Sequence, residues 1–445
     1  MDETLFELPP AEEGLHGQEG AGKPRLKQAN REQLQMQPTH LDALLGEDHP
    51  ARLVWDLVSQ LDLSPLYEKI RAVEGHPGQN TIDPRILMAL WLYATLEGVG
   101  SARALDRLCE EHHAYRWICG GVSVNYHTLA DFRVERGQLL DRMLTESVAA
   151  LMAEGLVSLR QTAQDGLRLR AHAGHGSFQG RPSLERCREE AESHLRAMKQ
   201  ELESDPAVGS RRRQAAQERA GQERAARVRE ALKHLETLEK RQRKSHKKQS
   251  RLRAAKASTT DPEARLMRMA DGGFRPGYNA QLAVDTETRL VMAVDVTNQV
   301  DQGQMAPMVS QLEKRYGHSP SQHLVDGGFV TMADLRAVSP PHGATTVYAP
   351  VPDRGPSTRH LHESHIPAIL DWRARMQTPE AQGIYRQRAS TVEWVQAMMR
   401  NRGLHQVCVR GRQKVKAILL WFALLHNLLI AHWLRDRACI EAHAG

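Results

Sequence analysis

The chain has 445 residues, long enough for two or three domains, each with its own core. Hydrophobic residues make up 40%, which excludes a wholly disordered protein. A formal charge of +6 and a pI near 9.1 favour an acidic partner, nucleic acid first among them. The basic surplus is unevenly spread, because residues 1–20 carry Asp2, Glu3, Glu7, Glu12, Glu13 and Glu19 with no Lys or Arg. The five cysteines form no CxxC pair and read as free thiols in a reducing compartment. The N-terminus, MDETLFELPPAEEG, has no apolar run, so no secretory signal is expected.

Residues 1–32 lack periodicity and predict a disordered acidic tail. Residues 33–156 predict a helical N-terminal domain. Leu53, Val54, Leu57, Val58 and Leu61 form an apolar stripe, and Asp83-Pro84 opens a helix in N-cap and first-turn order. Gly98 and Gly100 close that helix, and Ser101 caps the next. Thr128 and Asp131 resemble a capping box opening a helix through Phe132, Leu139 and Leu140. Short helices carrying Arg133, Arg136 and Arg142 are compatible with a helix-turn-helix DNA reader, and equally with a plain bundle whose arginines are solvated.

After residue 157 the period changes. Leu167, Leu169 and Ala171 alternate with arginines, Tyr278, Ala280, Leu282 and Val284 alternate likewise, and residues 290–296 read as a strand covered on both faces. A helix over residues 308–316, a short strand at 323–325, a strand at 344–351 and a helix over 379–399 complete an α/β pattern. Between the first two strands lies a charged insertion, residues 178–268, rich in helix formers. From Lys240 to Lys256 it holds nine basic residues, Lys240, Arg241, Arg243, Lys244, Lys247, Lys248, Arg251, Arg253 and Lys256, and no acid, which suits phosphate neutralisation or a solvated face. The apolar stretch at 417–433 has a polar centre, His426 and Asn427, and at about 17 residues it predicts a buried core helix, not a membrane span.

Three acids stand out: Asp165 in QDGLRLRA and Asp326 in HLVDGGF, both placed at strand ends, and Glu393 on a helix. Converging carboxylates of this kind can hold two Mg²⁺ ions against a phosphodiester. Tyr385, Arg388, Glu393 and Arg400 are spaced to share one face of a regular helix at about 100° per residue. An acid beside an aromatic hydroxyl and two guanidiniums suits a phosphate backbone. Each acid has a plainer alternative. Asp-Gly is a common turn pair, Asp271-Gly272-Gly273-Phe274 repeats the phrase at Asp326, and Asp285 and Asp295 also lie at strand ends. Walker, GxSxG and dinucleotide sequences are lacking.

On these residues the chain resembles the DDE transposases of bacterial insertion sequences. Tyr385, Arg388, Glu393 and Arg400 match the family's tyrosine–arginine–glutamate–lysine/arginine signature. Asp165-Gly166 matches its first phrase, with Leu167 departing from the usual Thr, and Asp326, Gly328 and Phe329 match its second. Gln396 stands where an aromatic is commoner. The resemblance implies a ribonuclease-H-like catalytic core over residues 157–177 and 269–435, with Asp165, Asp326 and Glu393 as catalytic residues and ligands of two Mg²⁺, Mn²⁺ substituting. It implies strand cleavage and transfer on double-stranded DNA, namely the element's terminal repeats and a target. DNA contacts are expected from Tyr385, Arg388, Arg400, Arg133, Arg136 and the basic run. A synaptic homodimer, no membrane, and a cytoplasmic, nucleoid-associated location complete the expectation. The rivals are a metal-dependent DNA nuclease and a non-catalytic DNA-binding descendant.

Overall fold

The computed structural model describes residues 40–72, 80–204, 211–243, 254–351 and 366–444. The expected acidic tail at residues 1–32 and Lys244, Lys247, Lys248, Arg251 and Arg253 of the basic run lie outside these.

The N-terminal region is helical: α1 (Pro50–Ser59), α2 (Ser64–Tyr67), α3 (Pro84–Leu96), α4 (Ala102–Glu111), α5 (His113–Cys119), α6 (Tyr126–Glu135) and α7 (Gly137–Ala153). Asp83 caps α3 by accepting from the Arg85 N–H at 2.8 Å, with Pro84 in the first turn where its missing N–H costs nothing. Ser101 caps α4 as expected, by accepting from Ala104 N. The cap of α6 is Asn125, which accepts from Thr128 N at 3.0 Å. Thr128 is therefore a capped residue of the first turn and not the cap.

The sheet is mixed. Its strands are β1 (Gln161–Arg170), β4 (Arg265–Arg268), β5 (Phe274–Asp285), β6 (Val291–Thr297), β7 (Gln322–Val325) and β8 (Thr346–Tyr348). β5 pairs antiparallel with β1 on one side and with β4 and β6 on the other, and β7 and β8 continue parallel beyond β1. A separate ribbon joins β2 (Phe178–Gln179) to β3 (Ala257–Ser258). The insertion contributes helices α8 (Arg181–Ser204) and α9 (Arg211–Arg243), packed through Leu184, Ala231, Leu232 and Leu235. Its last dozen residues were expected to be helical, but they return as β3 and β4. Leu266 and Met267 stand between Arg265 and Arg268 there, and β5 supplies the pairing edge.

Helices α10 (Met305–Tyr316), α11 (Met332–Val338), α12 (Pro367–Met376), α13 (Pro379–Arg388), α14 (Trp394–Asn401) and α15 (Arg412–Ala444) follow. α15 is the one helix among the described residues long and apolar enough to cross a membrane, and 72% of its most apolar window is buried. Its polar centre is accounted for by β6. Asn427 Oδ1 accepts from Val291 N and its Nδ2 donates to Val291 O, both at 2.8 Å, so a buried amide completes the backbone bonding of the strand. One apolar cluster runs from Leu57 and Trp91 of the helical region through Leu167 and Leu282 of the sheet to Trp421 of α15. The helical region and the sheet share a core instead of owning one each, because α15 packs against both.

Candidate active site

β1 alternates cleanly, with Thr162, Gln164, Gly166 and Arg168 toward one side of the sheet and Ala163, Asp165, Leu167 and Leu169 toward the other. Asp165 sits in the middle of this strand, paired with Leu282, and not at its end. The strand is longer than its apolar residues suggest because its polar residues are buried and bonded. His323 Nε2 meets Gln164 Oε1 at 3.0 Å, and Gln164 Nε2 donates to Gln281 Oε1 at 2.8 Å. Thr162 Oγ1 lies 2.8 Å from His323 Nδ1, and burial lowers the His323 pKa to about 3, which favours the neutral ring.

The parallel register pairs Gln164 with Val325, so the next residues, Asp165 and Asp326, stand side by side across β1 and β7. Asp326 ends β7 and caps a short 3-10 turn, accepting from Gly328 N at 2.9 Å. Neither Gly327 nor Gly328 takes a left-handed φ, and a Cβ at either would meet only ordinary contacts, Pro350 O at 3.5 Å and Asp326 Oδ1 at 3.8 Å, so the turn itself does not demand glycine. Gly166 is demanded. A Cβ there would lie 2.1 Å from Asp301 Oδ1, a carboxylate held by Asn279 at 2.8 Å, Gln281 at 2.9 Å and Arg168 at 2.6 Å. Nothing local in the sequence marks Asp301, a loop aspartate, as lying beneath β1.

The third acid arrives differently. Between α13 and α14 the backbone widens into a π turn, Ala389–Glu393. In a regular helix five residues would carry Glu393 roughly 140° away from Arg388. The i→i+5 turn stacks them, and Arg388 Nη2 donates to Glu393 Oε1 at 3.0 Å. The expectation of one regular helical face is corrected accordingly. Arg388 Nη1 also lies 3.3 Å from Asp165 Oδ2, so a single guanidinium links the strand acid to the helix acid. Its side chain is 12% exposed, and its centre is 6.0 Å from the Tyr385 ring. Burial alone would lower its pKa, but Asp165, Tyr385 and Glu393 outweigh that and hold it above its ordinary value. Burial pushes the Asp165 carboxyl up, opposed by Arg388 and the Gly166 N–H and reinforced by Asp301 and Asp326.

A cavity of about 880 Å³ opens over Asp165 and Glu393, and Arg170, Arg268, Arg400 and His405 line it. Arg400 is exposed there, on the α14 face expected of it. Asp271 reaches the rim from the β4–β5 turn, paired with Arg275 at 2.8 Å, which fits the turn role expected of it. Asp285 caps the β5–β6 turn through Thr288 and Glu287, and Asp295 pairs with Lys416 at 3.4 Å. Neither lines the cavity; Asp326 does not line it either, but unlike them it stands beside Asp165. Gln396 is buried with its Nε2 unbonded.

The donor set is all carboxylate, which suits hard divalent cations. Among the described residues, no three His, Cys, Asp or Glu side chains lie close enough to hold a metal in this conformation. Arg388 explains the spacing, since its positive charge stands between Asp165 and Glu393 in the position a cation would compete for. The residues fit such ions by the chemistry of their oxygen donors.

Two further arginines depart from expectation. Arg133 is buried, its guanidinium 4.5 Å from the Trp91 ring and donating to Gly100 O, and burial lowers its pKa to about 10. The helix that carries it is pinned by Trp91 Nε1 on Leu129 O at 2.9 Å and Trp421 Nε1 on Arg133 O at 3.0 Å. Arg133 is thus a core residue, because two tryptophans claim the α6 face on which it lies, while His127, Asp131 and Glu135 of the opposite face are exposed. Arg136 is half-buried against Phe132. Lys240, Arg241 and Arg243 end α9.

Two family models match the chain: a transposase domain (DUF772) over residues 39–135 and a transposase DDE domain over residues 252–428. Together they cover more than half of its length, and the chain belongs to the DDE transposases. The second match contains Asp326, Arg388 and Glu393 but begins within the insertion, at residue 252, so Asp165 lies outside it. No curated protein and no solved structure matches the chain.

Proposed function

We propose that this transposase binds the ends of an insertion sequence, cleaves them and joins their 3′-OH ends to target DNA at a site made of Asp165, Asp326 and Glu393. The observation that carries this reading is the junction of register and π turn, which brings the strand acids beside a helix acid tied to Asp165 through one arginine. The strand order, with β6, β5 and β1 antiparallel and β7 and β8 parallel to β1, supports a ribonuclease-H-like core.

Two divalent ions, Mg²⁺ with Mn²⁺ as substitute, would be held by the three carboxylates and would supply Lewis-acid stabilisation and a more acidic attacking water. Asp165 and Asp326 give a rigid oxygen pair, and Glu393 closes the set from the helix. Arg388 neutralises two of these acids, and with divalent ions bound it would be free to grip a phosphate bidentately. Arg400 faces the same cavity and suits a neighbouring phosphate. Hydrolysis leaves a 3′-OH. That oxygen attacks a target phosphorus and displaces the target's own 3′-oxygen, with no covalent bond to the enzyme. Synapsis by a homodimer in the cytoplasm belongs to the same reading.

Asp165→Ala, Asp326→Ala and Glu393→Ala should each abolish Mg²⁺-dependent strand cleavage while binding to element-end duplex persists. An Asp326→Ala enzyme that still cuts would overturn the assignment, and cleavage without any joined product would turn the reading to a nuclease.

A further inference from the structure

The chain leaving the C-terminal end of β1 continues past the active-site cavity. Arg170 N donates to His405 O at 3.0 Å and Val407 N to Arg170 O at 2.9 Å, so residues 170–172 and 405–407 lie side by side as a short ribbon. Arg170 and His405 line the active-site cavity. A few residues on, His172 and Arg410 line a second cavity, about 480 Å³, between the ribbon and the helical region. Its other walls carry Arg103 at the start of α4, Lys414 at the start of α15, Tyr126, and one acid, Asp131.

Arg103, His172, Arg410 and Lys414 are exposed, and none forms an ion pair among the described residues. The Arg103 guanidinium lies 5.0 Å from the Tyr126 ring, which orients its planar fork without consuming its donors. Like charges gathered in one crevice repel one another unless an anion fills it. Fold stability gives no reason for the arrangement. Six residues of chain span at most about 20 Å, so the two cavities lie within roughly six steps of a duplex rising 3.4 Å per base pair.

We propose that duplex DNA whose scissile phosphate is at Asp165 and Glu393 continues along this ribbon and seats its backbone in the crevice between α4, α6 and α15. This rests on the reading of the site as a DNA-cleaving one and adds the path of the substrate. The crevice is too small for a duplex and fits one or two phosphates, so its side chains position the DNA without reading bases. It also gives the helical region a role in DNA handling that does not need α6 as a recognition helix.

The test compares the wild type, the triple variant Arg103→Ser/Arg410→Ser/Lys414→Ser, and Arg107→Ser as a control on the paired outer face of α4. Each is titrated with a long element-end duplex and with one truncated close to the scissile phosphate. The triple variant should bind the long duplex roughly tenfold or more weakly, with a log–log salt slope lower by about 0.9 for each phosphate no longer neutralised. It should bind the truncated duplex as the wild type does. Hydroxyl-radical footprints of the wild type should extend about six base pairs past the cleavage point on one side, and circular dichroism should show the variants folded. Equal affinities and slopes for the long duplex, with cleavage by the wild type intact, would overturn the path and leave the proposed function standing. A wild type that neither binds nor cuts element ends would remove both.

Discussion

The two strand acids and the helix acid are held by unlike means. Asp165 is fixed inside β1, and Asp326 follows directly on β7, whose register to β1 is locked by polar side chains buried behind the strands. Glu393 is 51% exposed, sits on a π turn, and meets the rest through Arg388. Its support comes from behind. Arg289, in a left-handed conformation at φ 65°, lies 4.7 Å from the Trp394 ring and offers its carbonyl to His426 Nε2 at 2.9 Å. In the proposed site, a rigid pair facing an adjustable third acid would fix the reacting phosphate and still admit it.

The contrast can be broken by moving each carboxylate through one methylene. Asp326→Glu should lose on the order of a hundredfold or more in single-turnover cleavage, because a strand cannot follow a displacement near 1 Å. Glu393→Asp should stay within about tenfold of the wild type, since the π turn can adjust. Equal losses in the two variants would mean that Glu393 is as fixed as the strand acids.

Stability supplies the next test. Asn427→Leu strips Val291 of a donor and an acceptor in the interior, which should cost about 2–4 kcal/mol as two unsatisfied backbone groups. A lower urea midpoint with unchanged slope would show it. An unchanged midpoint would mean that water reaches the β6 edge and that α15 does not clamp the support behind Glu393.

Arg400→Ala comes third, with an expected loss of roughly tenfold to a hundredfold in cleavage or joining, about 1.4–2.8 kcal/mol of transition-state stabilisation. Divalent-ion binding followed by calorimetry should be unchanged, because Arg400 is no ligand. Normal rates would remove it from the site and leave Arg388 as the phosphate contact of that helix.

The limits of the sequence follow the same division. The acids were legible because each stands in a local phrase that chemistry explains, and the buried helix α15 was legible from its apolar run. The mid-strand place of Asp165 was not. Thr162 and Gln164 look like loop residues until His323 and Gln281, more than a hundred positions away, complete their bonding. The π turn was hidden for a related reason, since Ala389-Ser390-Thr391 carries no signal that helical periodicity could detect. Arg133 misled because spacing shows which residues share a face but not that Trp91 and Trp421 already occupy it.

The smallest effect, read at pH 6, concerns acid and separates the two supports by their histidines. Burial lowers His323, behind the strand acids, from 6.5 to about 3, and His426, behind Glu393, from 6.5 to about 4. Between those values and 6.5 the unfolded chain binds more protons than the folded one, so stability is full above about pH 6.5 and falls as the pH drops. Each histidine should cost ~0.8 kcal/mol at pH 6, rising toward about 1.4 kcal/mol per further pH unit until its folded pKa is reached. His426 therefore stops contributing near pH 4, while His323 continues toward pH 3. Urea midpoints from pH 7 to pH 4 should decline with both histidines present, and His426→Gln should remove about half of the slope. If the remaining slope vanished as well, His323 would already be protonated in the fold, and the neutral Thr162–His323–Gln164 chain that locks β7 to β1 would be wrong.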